Sequence, residues 1–237
     1  MMETLIYGTT EITYSIDYSN RKTLGISVNP DGKVIVNAPV DTFKEKIEEK
    51  IIKRAPWILK QQRFFTSFGE KMPPRRYISG ESHLYLGKQY ILRVTEGKHN
   101  SVSFKGHSFV VETLRATSPK NATSVERLMK EWYKERAKTK FAEIAEPIIQ
   151  RFKKYGVEPT LLYIQNMENR WGSCTPKGKI ILNTELIKAP KPCIEYVIMH
   201  ELCHLVHQRH THAFYDLLTT EMPDWERWKN KLEQLMH

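Results

Sequence analysis

The sequence predicts an α+β protein, with a β-rich N-terminal region carrying one helix over residues 1–118 and a mainly helical region over residues 119–237. Three observations lead there. Apolar residues alternate with period two in several short runs before residue 112. From about Thr123 they recur instead at spacings of three and four. A connection rich in Pro and Gly, residues 66–82, interrupts the first region.

The elements follow in order. Leu24, Ile26 and Val28 alternate with smaller or polar residues, Asn29-Pro30-Asp31-Gly32 supplies a turn, and Val34-Ile35-Val36 continues as a strand. Thr42 followed by Glu45 has the spacing of a capping box, opening a helix through Ile47, Ile51 and Ile52 that Pro56 is expected to kink or end. Further strands are expected at Leu84–Leu86, Tyr90–Val94, Val102–Phe104 and Phe109–Val111. A long amphipathic helix then runs from about Thr123, through Leu128, Trp132, Phe141, Ile148 and Phe152, to Gly156, with Pro147 expected to bend it. Strands follow at Leu161–Gln165 and Lys179–Leu182, and helices at residues 191–207 and about 212–236. No internal repeat is visible in the sequence.

Composition narrows the function. The chain of 237 residues is 40% hydrophobic and 27% charged, which excludes a disordered or collagen-like chain. No apolar run has the length of a membrane span, and the first residues lack the basic start and apolar core of a signal peptide, so no membrane association is expected. Cys174, Cys193 and Cys203 are too few and odd in number for a disulfide framework, which points to a reduced, cytoplasmic setting. The net charge of +10 raises a nucleic-acid partner as a question. The excess of bases lies in residues 41–80 and 120–155, whereas residues 191–237 are slightly acidic.

The sharpest motif is His200-Glu201-Leu202-Cys203-His204. On a helix, residues i and i+4 share a face one turn apart, so both imidazoles can reach one ion, with Glu201 beside a water held there. Ile194, Val197 and Ile198 give the same helix an apolar face, and histidines on an inward-packing helix need polar partners or a metal. A zinc site takes a third protein ligand and keeps one position open. His207 shares the helical face but lies about 7–8 Å along the axis from the middle of the pair, too far for the same ion. His210 can turn back if the helix ends near His207–Gln208, and is the favoured third ligand; His212 is the reserve.

Several ordered motifs resemble the YgjP-like metallopeptidases, a family related to the SprT-like and WLM zinc peptidases. They are Arg170-Trp171-Gly172-Ser173-Cys174, Ile181-Leu182-Asn183, the His200–His204 motif with Leu205, and His210-Thr211-His212-Ala213-Phe214-Tyr215. Earlier in the chain, Arg21–Leu24, Ala55-Pro56-Trp57-Ile58 and Tyr77–Gly87 fit the same pattern, so the resemblance spans most of the chain. It implies a zincin-like catalytic fold, Zn2+ held by His200, His204 and His210, and a place for residues 170–174 near an edge strand bordering the cleft. Thr211 stands where the family more often has serine.

The expected function is therefore a cytoplasmic zinc-dependent metallopeptidase acting on a peptide or protein substrate, with Glu201 as general base. Arg170, Trp171, Ser173, His212 and Tyr215 are candidates for substrate binding or oxyanion support; packing between Arg170 and Trp171 is the competing expectation for that pair. Two alternatives keep the site: a metal-dependent nucleotide or phosphoanhydride hydrolase, and a nucleic-acid-associated protease of SprT-like type. A mixture of Glu among the bases of residues 44–63 and 127–154 favours plain solvated helix faces over a nucleic-acid surface.

Overall fold

The computed structural model describes residues 2–29, 31–66, 75–114, 121–168 and 170–235. It is a mixed α and β structure with three small sheets and, among the described residues, five α-helices. The chain divides into two compact units, residues 1–73 and 74–235.

In the first unit, strands β1 (Met2–Tyr7), β2 (Thr10–Ser19), β3 (Gly25–Val28) and β4 (Val34–Pro39) form a sheet of order β1-β2-β4-β3, followed by helix α1 (Lys44–Thr66). Ile12, Tyr14, Val34, Val36 and Ala38 from the sheet meet Ile47, Ile51, Ala55 and Ile58 from α1 in one buried cluster. The helix does not end at Pro56. That residue lies on the solvent side, where the carbonyl it leaves without a partner can bond water, while buried Ala55 and Ile58 hold the helix to the sheet on either side of it. Of the Pro/Gly connection expected over residues 66–82, residues 67–74 lie outside the described residues.

The second unit opens with β5 (Ser82–Tyr85), β6 (Lys88–Glu96), β7 (Ser101–Lys105) and β8 (Ser108–Thr113), then helix α2 (Asn121–Phe152) and a 3-10 turn at Lys153–Tyr155. Its sheet order, β5-β6-β8-β7, reproduces that of the first unit. In each the central pair is parallel, the outer pairs are antiparallel, and a helix follows the fourth strand. The chain thus does repeat a unit, at the level of topology; the trace in sequence is a short run closing the first strand, Leu5-Ile6-Tyr7-Gly8 and Leu84-Tyr85-Leu86-Gly87.

The division at Pro73/Pro74 differs from the expected boundary at 118. The second sheet packs on the long helix, with Tyr85, Phe104 and Phe109 meeting Trp132 at ring-centroid distances of 5.1, 6.0 and 5.0 Å. Apolar area shared with α2 therefore joins these strands to the helical part. The hairpin tip is docked as well. Leu86 and Gly87 both adopt positive φ, and their N–H groups donate to the carbonyls of Ile187 and Lys188. A Cβ on Gly87 would sit 2.7 Å from Pro190 Cγ, so glycine is required there by contact as well as by conformation.

After α2 come β9 (Leu161–Gln165), β10 (Gly172–Cys174) and β11 (Lys179–Asn183), a 3-10 turn at Thr184–Lys188, and helices α3 (Lys191–Val206), α4 (His212–Glu221) and α5 (Trp225–Leu235). The expected helix over 212–236 is two helices, broken at Met222-Pro223-Asp224. Pro223 cannot continue a hydrogen-bond ladder, and the Asp224 carboxylate accepts from Trp228 Nε1–H in the next helix. The third sheet has order β10-β11-β9, which leaves β10 on an edge.

Glu221, at the end of α4, is buried among Arg151 at 2.7 Å, Lys154 at 2.8 Å and the Tyr155 hydroxyl at 2.6 Å. Burial works against ionisation of Glu221, but the hydrogen bonds from Lys154 and Tyr155 and the charge of Arg151 outweigh it and hold the carboxyl below its ordinary range. A depressed carboxyl pKa stabilises the fold above the unfolded-state value and loses that contribution as pH falls through the folded one. Glu221→Gln is expected to cost about 1–3 kcal/mol near pH 7. Thermal or denaturant unfolding should show the gap to wild type closing as the pH drops below the carboxylate range.

Candidate active site

Helix α3 begins after Pro190, with Pro192 in its first turn where a missing N–H costs little. Cys193, Ile194, Val197, Ile198 and Leu202 bury it in the core, and His200 and His204 follow one turn apart on the side that meets the cleft. The helix stops at His207, which is extended at φ −128° and ψ 102°. The chain then turns through Gln208 and Arg209 and brings His210 back over the pair before α4 starts.

Ring nitrogens of His200, His204 and His210 all lie within 4.8 Å of one another, with the Nε2 atoms of His200 and His210 2.9 Å apart. Phe214, fully buried on α4, packs against all three rings at centroid distances of 5.0, 4.7 and 4.7 Å. His204 Nδ1 faces the His207 carbonyl at 3.3 Å, which fixes that ring and leaves its other nitrogen free to act as a ligand. His200 Nδ1 is buried without a hydrogen-bond partner among the described residues. Burial, together with the repulsion a proton on His200 would meet from one on His204 or His210, lowers the His200 pKa to about 3. Burial also lowers His204 and His210. Three neutral imidazoles whose nitrogens crowd together, with no acid interposed, form a set of lone-pair donors suited to a divalent metal that takes nitrogen ligands.

Glu201 is 5% exposed and lines the same cleft of about 520 Å³. Burial raises its pKa to about 7, opposed by the Arg170 charge and by a hydrogen bond from the Cys174 backbone N–H. The edge strand β10 passes directly over it. A Cβ placed on Gly172 would lie 2.6 Å from Glu201 Oε1 and 2.9 Å from Val197 Cγ1, so only glycine lets the strand approach the carboxylate this closely.

Asn183, 1% exposed, ties the approach to that strand. Its side-chain amide donates to the carbonyls of Met167 and Arg170 at 2.7 and 2.9 Å, its side-chain oxygen accepts from Glu185 N–H, and its own N–H donates to Trp171 O.

Of the residues expected at the site, His200, Glu201, His204, His210, Arg170 and Ser173 line one cleft. Trp171, His212 and Tyr215 are not among its lining residues. Trp171 is half-buried and packs against the core. His212 is exposed, 2.8 Å from Asp216. Tyr215 stands behind His210, stacked on it at 6.0 Å and on Trp225 at 5.6 Å. Cys203 is fully buried, and burial pushes its thiol up to about 12.

Gly172, Asn183 and Phe214 belong to motifs that stand out in the sequence, yet their spacing assigns them no task. The density of Gly, Asn and aromatic residues in those short runs was the available signal.

The model of the YgjP-like metallopeptidase domain matches residues 22–235. The chain belongs to this family. The match covers the whole second unit and the first unit from residue 22 onward, makes the chain a hydrolase of the metallopeptidase kind and implies a metal cofactor, for which the histidine triad is a fitting holder. No curated protein matches the chain. No helix among the described residues is long and apolar enough to cross a membrane.

Proposed function

We propose that the protein is a zinc-dependent metallopeptidase with a zincin-like active-site helix, in which His200, His204 and His210 hold the ion and Glu201 is the general base. The observation that carries this reading is the convergence of three neutral imidazoles and one buried carboxylate on a single cleft. When bound, zinc supplies Lewis acidity that acidifies a water and polarises the peptide carbonyl. Glu201 takes the water proton and passes it to the leaving amine; a carboxyl raised towards neutrality suits both halves of that transfer. Arg170, exposed at the cleft and paired with no acid among the described residues, contributes positive charge where an oxyanion develops. Ser173, on the edge strand, is in place to contact an extended substrate. Trp171 packs against the core, and Tyr215 stacks on His210. Three unpaired cysteines accord with a reducing, cytoplasmic setting.

The test is a substrate panel run before and after chelation. Unfolded protein substrates should be cleaved, a chelator should abolish cleavage, and stoichiometric zinc should restore it. Cleavage that survives complete metal removal would count against the reading. Hydrolysis confined to nucleoside triphosphates would transfer the same residues to phosphoanhydride chemistry.

A further inference from the structure

The positive charge of this chain is held in two different ways. On α2 most of the bases are matched, Arg127 with Glu131, Lys130 with Glu126, Lys138 with Glu135 and Lys140 with Glu143, at 2.9, 2.7, 2.6 and 2.6 Å, while Lys134 and Arg136 have no ion pair among the described residues and Arg136 lies over the Trp132 ring. Among the described residues of α1, Lys44 alone is paired, with Glu3 and Glu48. Lys46, Lys50, Lys53 and Lys60 are exposed and ion-paired with nothing among the described residues.

Their spacing makes one stripe. At 100° per residue, Lys46, Lys50, Lys53, Trp57 and Lys60 fall on the same side of the helix, with Arg54 at its margin. The buried face, Ile47, Ile51, Ala55 and Ile58, centres about 135° away; Glu45 and Glu48 fall well outside the stripe, and Glu49 borders it, about 20° from Lys60. The four lysines therefore form one row with a single acid, Glu49, at its edge, a clearer separation than the linear sequence suggests. From Lys46 to Lys60 the stripe runs about 21 Å. Trp57 sits in it between Lys53 and Lys60, 37% exposed, with the Arg54 guanidinium 5.9 Å from its ring.

We propose that this face of α1 binds single-stranded nucleic acid, the lysines tracking successive phosphates and Trp57 stacking on a base. A row of unpaired cations with an aromatic among them is the chemistry such a strand requires. An amphipathic helix that enters a lipid surface needs its apolar face free, and that of α1 is occupied by the sheet. An acidic peptide would meet the charge but has no use for the exposed indole. The binding face lies wholly within the first unit and uses none of the metal-site residues.

The test titrates the full chain with a fluorescent oligothymidylate over a range of salt. Neutralising Lys46, Lys50, Lys53 and Lys60 to Gln together should weaken binding at low salt at least tenfold and flatten the plot of log affinity against log salt by about 3, at ~0.7 per phosphate contact. The pair Lys50→Gln and Lys53→Gln should give about half that change in slope, and serves if the fourfold variant folds poorly. Trp57→Ala should weaken binding roughly fivefold to a hundredfold. Neutralising the matched Lys138 and Lys140 on α2 should change little. Absence of binding by the wild type at low salt, an unchanged slope in the lysine variants, or equal binding to polyglutamate or phosphatidylserine vesicles would overturn the proposal.

Discussion

Replacing Glu201 by Gln is expected to lower kcat by about a hundredfold to ten-thousandfold on any substrate the wild type cleaves, while the metal content stays unchanged. The side chain keeps its size and fills the same buried position, and the three imidazoles do not depend on it for their packing, which comes from Phe214 and the turn at His207. What disappears is the group that accepts and returns a proton. Steady-state kinetics beside metal analysis of the same samples separates these effects. Turnover within a few-fold of wild type would remove Glu201 from the mechanism; loss of metal together with activity would make it a structural support instead.

The second large effect is expected at a position with no functional group. Gly172→Ala places a methyl carbon where Glu201 Oε1 would be 2.6 Å away, closer than such atoms approach, with Val197 Cγ1 closing the other side. Either the carboxylate moves from its place or β10 lifts away from α3. A displacement of the order of 1 Å at a reacting group costs about a hundredfold in rate. Gly172→Ala should therefore lose about two orders of magnitude in kcat/KM with the metal retained, since the atoms nearest that carbon belong to Glu201 and Val197 rather than to a histidine. Wild-type kinetics in the variant would show that β10 does not need to approach Glu201 so closely.

Local periodicity made much of the fold legible. The strands at Tyr90–Val94 and Lys179–Leu182 and the helices at 191–207 and from about Thr123 stand close to where alternation and three-to-four spacing put them, because each has one face buried in a core. The misjudged points are those decided by distant contacts. Pro56 is accommodated because the sheet grips α1 on both sides of it. The boundary near 118 moved because Tyr85, Phe104 and Phe109 find their partner in Trp132, a pairing that period alone does not reveal.

The site divides in the same way. His200 and His204 are legible because a helix fixes their separation in sequence terms. His210 required knowing where that helix stops, which depends on the extended conformation at His207. The positions that hold the site in shape, Gly172 against Glu201, Asn183 across the loop before β10, and Phe214 beneath the triad, act through space between separate elements.

Metal analysis of the purified chain tests most directly whether the triad is a single metal site. The wild type should carry one zinc per chain. His200→Ala, His204→Ala and His210→Ala should each lose most of it, while His212→Ala, exposed and turned to Asp216, should retain it. Full zinc occupancy in His210→Ala, or its loss in His212→Ala alone, would contradict the assignment.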